Sequence, residues 1–228
     1  MIKQTIVTLT SAVTIGLVSV GSAQAAIFSI SDGISGGSAA SLDLTEGSTE
    51  NSFVVGFDEL QGVSTTAPVA VDYLIDACDV GQQFTGVNNP PSGSPLELEL
   101  GVYDSHLLHF DPIGGGSVST GTFTFDGDIV AIIANQEFLN RSDAVLVNAA
   151  TYEKSLGRRT EDDDLFTVTT SRSITVDFFK VSSPYIDNLR VITKAKPVSE
   201  PAALFGLGAL GAIAVGGAIK MKRATPAV

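Results

Sequence analysis

Several stretches of this chain alternate apolar and polar residues one for one. That period of two is the signature of a β-strand with one buried and one wet face. Leu96, Leu98, Leu100 and Val102 are interleaved with Glu97, Glu99, Gly101 and Tyr103. Phe123 and Phe125 alternate with Thr122 and Thr124, and Phe166 and Val168 with Thr167 and Thr169. Ile174, Val176 and Phe178 alternate with Thr175 and Asp177. Further strands are expected at 53–57, 69–75, 107–110, 129–134 and 186–193, where β-branched and aromatic residues gather. Turn residues punctuate them at 31–38, 88–95, 112–117, 126–128 and 158–164. Only Asn135 to Arg141 reads as helical, for about two turns. The expected fold is therefore all-β, a single antiparallel β-sandwich of jelly-roll type over residues 26–193.

The two ends carry a different pattern. Residues 1–25 run from a short positive start, Met1 to Lys3, through an apolar core, roughly Ile6 to Val20, to Ala23-Gln24-Ala25. This is the anatomy of a secretory signal peptide cut between Ala25 and Ala26. At the other end, residues 194–201 form a polar linker ending Ser199-Glu200-Pro201. The apolar run 202–219 follows, about the length of a membrane-spanning helix. Residues 220–228 then bring the basic Lys220, Lys222 and Arg223, which favour the cytoplasmic side.

The order of Glu200-Pro201, a Gly/Ala/Leu-rich span and a basic cluster resembles the sorting signal of PEP-CTERM proteins. These are bacterial envelope proteins handled by exosortases. In that family a Pro usually precedes the Glu, where this chain has Ser199. The resemblance covers about the last thirty residues and implies delivery to the cell envelope. It implies a brief hold in the inner membrane through the C-terminal helix, then cleavage near Glu200-Pro201 by an exosortase-type protease. The alternative for the tail is a plain, uncleaved anchor. Three internal runs, 105–112, 125–129 and 186–192, resemble segments of uncharacterised β domains in surface proteins with such tails. That second resemblance transfers no catalytic residue.

Charge narrows the partners. The body 26–201 keeps nine of the thirteen basic residues and all 25 acidic ones, a formal net charge of −16. Such a body disfavours nucleic acid and anionic lipid, whose phosphates need Lys and Arg. Cys78 stands alone, which rules out an intramolecular disulfide; its apolar neighbours point to a buried, inert thiol.

Candidate chemistry is sparse. His106 and His109, the only histidines, lie three apart, so a strand turns them to opposite faces. They are expected to bond backbone groups at a strand end. Calcium takes oxygen ligands from loops, and Asp126, Asp128, Asp162, Asp163 and Asp164 are the candidate donors, with Asp187 outside them. Glu97 and Glu99 share one strand face at about 7 Å, where they read as solvated strand residues rather than a catalytic pair. The chain has no Trp for stacking sugars, only Tyr73, Tyr103, Tyr152 and Tyr185. No nucleophile elbow, zinc-binding helix or phosphate loop is present. Arg158-Arg159 ahead of the acidic run reads as a charged surface loop.

The function expected from these features is an exported, non-catalytic envelope or matrix protein with a structural or adhesive role. Its partners would be signal peptidase, a sorting protease, the membrane through its span, and extracellular polysaccharide. The alternative is a secreted carbohydrate-binding module or weak glycoside-active enzyme, which predicts a concave face carrying tyrosines and carboxylates together.

Overall fold

A computed structural model of the chain describes residues 26–38, 43–44, 53–86, 94–112, 118–147, 151–152, 158–179 and 186–196. The expected signal peptide, sorting motif, span and basic tail lie outside these residues. All described residues fall in one compact unit, Gln24–Pro197. Among them no helix is long and apolar enough to cross a membrane.

In chain order the strands begin with β1 (Ile27–Ser31), β2 (Ile34–Ser38), β3 (Asp43–Leu44), β4 (Val55–Asp58), β5 (Val63–Ser64), β6 (Val69–Val71) and β7 (Tyr73–Leu74). A 3-10 turn, Ala77–Asp79, precedes β8 (Gln83–Thr85), β9 (Leu96–Leu98), β10 (Val102–Phe110), β11 (Val118–Phe125) and β12 (Ile129–Ile133). Helix α1 (Gln136–Leu146) leads to β13 (Thr151–Tyr152), β14 (Arg158–Arg159), β15 (Leu165–Thr170), β16 (Ser173–Phe179) and β17 (Ile186–Lys194).

The fold is all-β and mostly antiparallel. A five-stranded sheet runs β1-β11-β16-β15-β8. An eight-stranded sheet runs β2-β4-β10-β17-β12-β7, with β5 beside β10 and β14 beside β17. Three pairs among the described residues, β2 with β4, β14 with β17 and β3 with β13, are parallel, which departs from the purely antiparallel expectation. All three are joined by long crossovers, as parallel neighbours must be.

The alternation in β11, β15 and β16 is realised: Phe123, Phe166, Val168, Ile174, Val176 and Phe178 are fully buried. They meet Leu108, Phe110, Leu189, Val191 and Ile132 of the larger sheet in one apolar layer. The two sheets approach closely at Gly56, where a Cβ would stand 2.7 Å from the Phe123 ring and 2.8 Å from Ile27.

The opposite face of the larger sheet is also covered. Helix α1 lays Phe138, Leu139 and Leu146 on Ala131, Ile133 and Ile192, alongside Val69, Val71 and Leu98. This is why β17 is buried on both sides for its first eight residues. The helix is longer than the two turns expected, because Ser142 and Leu146 continue its buried face. Its start is well specified: Asn135 Oδ1 accepts the Phe138 N–H at 2.9 Å. The Asp72 carboxylate in turn accepts the N–H groups of Ala134 and Asn135.

Two expectations fail here. In the Leu96–Val102 stretch only Leu98 is buried; Leu96, Leu100 and Val102 are exposed. The strand ends at Leu98, having paired with the short β6, and the chain bends at 99–101, so Leu100 and Val102 do not continue its buried face. Residues 31–38 are no simple turn, since β2 occupies most of them. The bend is confined to Asp32-Gly33, with Asp32 in the left-handed region at φ 62°.

Candidate functional site

Ser199, Glu200, Pro201, Lys220, Lys222 and Arg223 lie outside the described residues, as do Ala23 and Ala25. Ala26 is the first described residue, and it is exposed.

The acidic turns are placed apart. Asp128 Oδ1 accepts from Arg172 Nε at 2.8 Å and Ser171 Oγ at 3.1 Å, at the start of β16. Asp164 Oδ1 accepts the N–H of Phe179 at 2.8 Å, at the far end of β16. Seven residues of strand span about 23 Å, so the two turns cannot share one ion. Asp162 and Asp163 are exposed. Among the described residues no group of three or more His, Cys, Asp or Glu is placed to hold a metal ion. The residues therefore do not fit the calcium site expected of them.

Asp164 has another use. Its Oδ2 accepts the Glu161 N–H at 2.6 Å, closing the turn on itself. Burial, together with the charges of Asp163 and Glu161 and against its two backbone donors, pushes its pKa up to about 7.

The histidines face opposite ways, as their spacing predicts, but both sit within β10 rather than at a strand end. His106 Nδ1 bonds Asp58 Oδ1 at 2.8 Å, and Nε2 faces Thr193 Oγ1 at 3.2 Å. Its ring packs against Phe125. An acid, an imidazole and a hydroxyl thus stand in line in the order of a nucleophilic triad. Thr193 and His106 are nevertheless fully buried, and Thr193 packs against Gly127, so no substrate reaches the hydroxyl. His109 Nδ1 bonds Asn188 Oδ1 at 2.9 Å. Cys78 is exposed, contrary to expectation. It sits on the 3-10 turn, where Asp76 accepts its N–H.

The largest polar assembly was not legible in the sequence. Arg190, fully buried on β17, forks onto Glu59 with Nε to Oε2 at 2.7 Å and Nη2 to Oε1 at 2.8 Å. It also donates to Asp143 Oδ1 at 2.8 Å, to Leu139 O at 3.1 Å and to Ser142 Oγ. Ser105 Oγ and the Tyr152 hydroxyl complete the Glu59 carboxylate. Arg158 was expected on a surface loop. It is fully buried instead, holds Asp143 through Nη1, and stacks 3.9 Å over the Tyr152 ring. Burial opposes the charge on Glu59, but Arg190 and the hydrogen bonds hold its pKa below the usual value. Burial and the Arg190 charge lower Arg158. Two carboxylates balance two guanidinium groups, and together they tie α1, β10, β14 and β17 into one unit.

The surface offers one ordered feature. On the outer face of the five-stranded sheet the register aligns Ser31, Thr122, Thr175, Thr167 and Gln83 in a row across all five strands. A second row holds Ser29, Thr124 and Ser173. The hydroxyls of Thr122 and Thr175 meet at 2.8 Å, as do those of Thr124 and Ser173. Thr120 donates to Asp177 on the same face. In a body this acidic, a face with Asp177 as the only charged side chain among these residues is unusual.

The described tyrosines do not form the aromatic face that a sugar-binding groove would need. Tyr73 packs on Phe84 and Phe166, Tyr103 is buried with its hydroxyl on Glu99 O, and Tyr152 belongs to the charged layer. A groove of about 320 Å³ between α1 and the β6/β9 pair is lined by Pro68, Val69, Pro95, Glu97, Arg141 and Val145. It brings no second carboxylate to Glu97. Compared with protein-family models, curated proteins and solved structures, the chain matches none.

Proposed function

We propose that this chain is an exported, non-catalytic protein of the bacterial cell envelope or extracellular matrix, delivered by a signal peptide and sorted through its PEP-CTERM-like tail. Its body is an all-β domain of the sandwich class with a structural or adhesive role. The observation that carries this reading is the pair of chain ends, an export signal at 1–25 and the Glu200-Pro201, span and Lys220/Lys222/Arg223 series at the other. The body is consistent with it: Glu59, Asp143, Arg158 and Arg190 of the charged layer hold elements of the fold together. The adhesive part rests on the hydroxyl rows of the five-stranded sheet, a sparsely charged surface suited to hydrogen bonding with polysaccharide hydroxyls.

Intact mass of the native protein from an envelope fraction tests the sorting. A mass near that of residues 26–201, alone or with an attached glycan or lipid, is expected. A mass retaining the span replaces sorting with simple anchoring. Deletion of 202–228 should alter both location and processing; unchanged fractionation sinks the proposal. Binding to a polysaccharide panel should weaken when Thr122 and Thr175 are both replaced by Val. Flat curves for the parent chain remove the adhesive role.

A further inference from the structure

The first residue of the body enters a cluster of carboxylates that is short of a positive partner. Strand β1 pairs antiparallel with β11, and Ile27 stands opposite Phe125. Continued by one residue, this register sets Ala26 opposite Asp126. The Ile27 N–H donates to Asp58 Oδ1 at 3.0 Å, the same oxygen that holds His106. Behind Asp58 lies Asp104, only 1% exposed. Asp104 Oδ1 accepts the Gly62 N–H at 2.6 Å, but its Oδ2 is buried with no hydrogen-bond partner. Asp126 repeats the pattern: Lys196 Nζ reaches Oδ2 at 3.6 Å, while Oδ1 is buried and unpartnered.

These groups are near enough to interact. Burial raises the pKa of Asp104, and the charges of Asp126 and Asp58 raise it further, against the Gly62 N–H and His106. The turn carrying Asp126 is fixed in place. A Cβ on Gly127 would fall 2.4 Å from Lys194 O, and Lys194 N donates to Asp128 O at 2.8 Å. Asp128 itself is taken by Arg172. The charged and titratable side chains around the cluster are thus Asp58, Asp104, His106, Asp126 and Lys196, with Arg172, bonded to Asp128, acting on Asp126 through space. Buried carboxylate oxygens without donors are costly, and proteins seldom leave them so.

We propose that removal of residues 1–25 supplies the missing partner: the α-ammonium of Ala26 seats against Asp126, with Asp58 and Asp104 behind it, and locks β1 into the sheet. Hydrolysis of the Ala25–Ala26 bond adds one water, leaving a carboxylate on Ala25 and an ammonium on Ala26. A neutral amide with one N–H becomes a cation with three. One residue spans at most about 3.6 Å, so the new charge arises close to Asp58 Oδ1, which accepts the Ile27 N–H. An α-amino group titrates near 8, so it is charged at neutral pH. Cleavage then does more than release the body. It completes the sheet edge, and the uncut precursor keeps β1 more loosely held.

This inference rests on the export reading, and the test separates the two. Two chains are prepared with the tail intact and in the same detergent, one beginning at Ala26 and one at Ala25. At pH 6 the Ala26 chain should melt about 2–4 °C higher, the shift of roughly one good charge-assisted contact in a domain of this size. The gap should close above pH 9, and it should close when both chains carry Asp126→Asn. Titration of the Ala26 amine by NMR should give a pKa above 8. Equal melting at pH 6, or an amine titrating at its ordinary value, overturns the pairing. N-terminal sequencing of the exported protein reports on the other reading: a mature end elsewhere than Ala26 removes the cleavage point, whatever the melting comparison shows.

Discussion

Strand β17 presents two different worlds on its two faces, one residue apart. Leu189 and Val191 point into the apolar layer shared with the five-stranded sheet. Arg190 points the other way, into a network of Glu59, Asp143, Ser142 and Tyr152 that is equally dry. The first layer tolerates any set of side chains of suitable volume, because burial energy has no direction. The second does not, because each donor needs its own acceptor at about 3 Å. The apolar face therefore specifies that two sheets stack. The charged face specifies which strand, which helix and which residue lie against each other.

The sharpest way to break this contrast is Arg190→Met. Removing the cation leaves Glu59 buried with uncompensated charge, while Asp143 keeps Arg158, and the lone charge costs about 3–5 kcal/mol. Urea unfolding should show that loss as a lower midpoint. The double variant Glu59→Met/Arg190→Met should recover part of it, since an apolar pair is cheaper than a lone buried charge. If the double variant is worse than the single by the full cost again, the network holds the fold through more than charge balance.

The pH dependence of Asp164 tests a second polar site at the far end of β16. Its pKa is raised from 3.8 to about 7. A raised acid binds its proton more tightly in the folded state, so its stabilising contribution is full below about pH 3.8 and is lost as pH climbs through 7. The shift corresponds to about 4 kcal/mol across that window. Thermal melts of the parent and of Asp164→Asn at pH 4, 6 and 8 give the comparison. The parent's advantage over the variant should shrink as pH rises. A constant or growing advantage contradicts the assignment.

Trimming one methylene from the apolar layer is a smaller matter. Ile174→Val should cost about 1 kcal/mol, the ordinary price of a small cavity. Calorimetry at fixed pH suffices to read it.

Legibility in the sequence follows the same line. The alternations at Phe123/Phe125, Phe166/Val168 and Ile174/Val176/Phe178 were readable because each apolar residue announces its face by period alone. The Leu96 to Val102 alternation misleads for the converse reason: a period of two does not show where a strand stops, and the bend at 99–101 takes Leu100 and Val102 off the face that Leu98 buries. The charged layer left no local trace. Glu59, Asp143, Arg158 and Arg190 are scattered over the chain, and an isolated Arg looks the same whether it ends in water or in a core. Asp58 and Asp126 likewise show nothing until β1 brings Ala26 beside them.

The outer face of the five-stranded sheet falls between these two cases and gives the smallest effect. Thr122 and Thr175 lie opposite each other with their hydroxyls 2.8 Å apart, partly buried. Their bond is directional, as in the charged layer, but water stands ready to replace either partner. The coupling between Thr122→Val and Thr175→Val, measured as a double-mutant cycle in urea, should be about 0.5 kcal/mol or less. Valine keeps the β-branched shape, so the strands retain their propensity and the cycle isolates the hydroxyl pair. A coupling near zero would mean that the rows contribute nothing to the fold and are free to serve as surface. A coupling well above 1 kcal/mol would mean that the row is closed on itself, with its donors already committed, and a poor surface for gripping a polysaccharide.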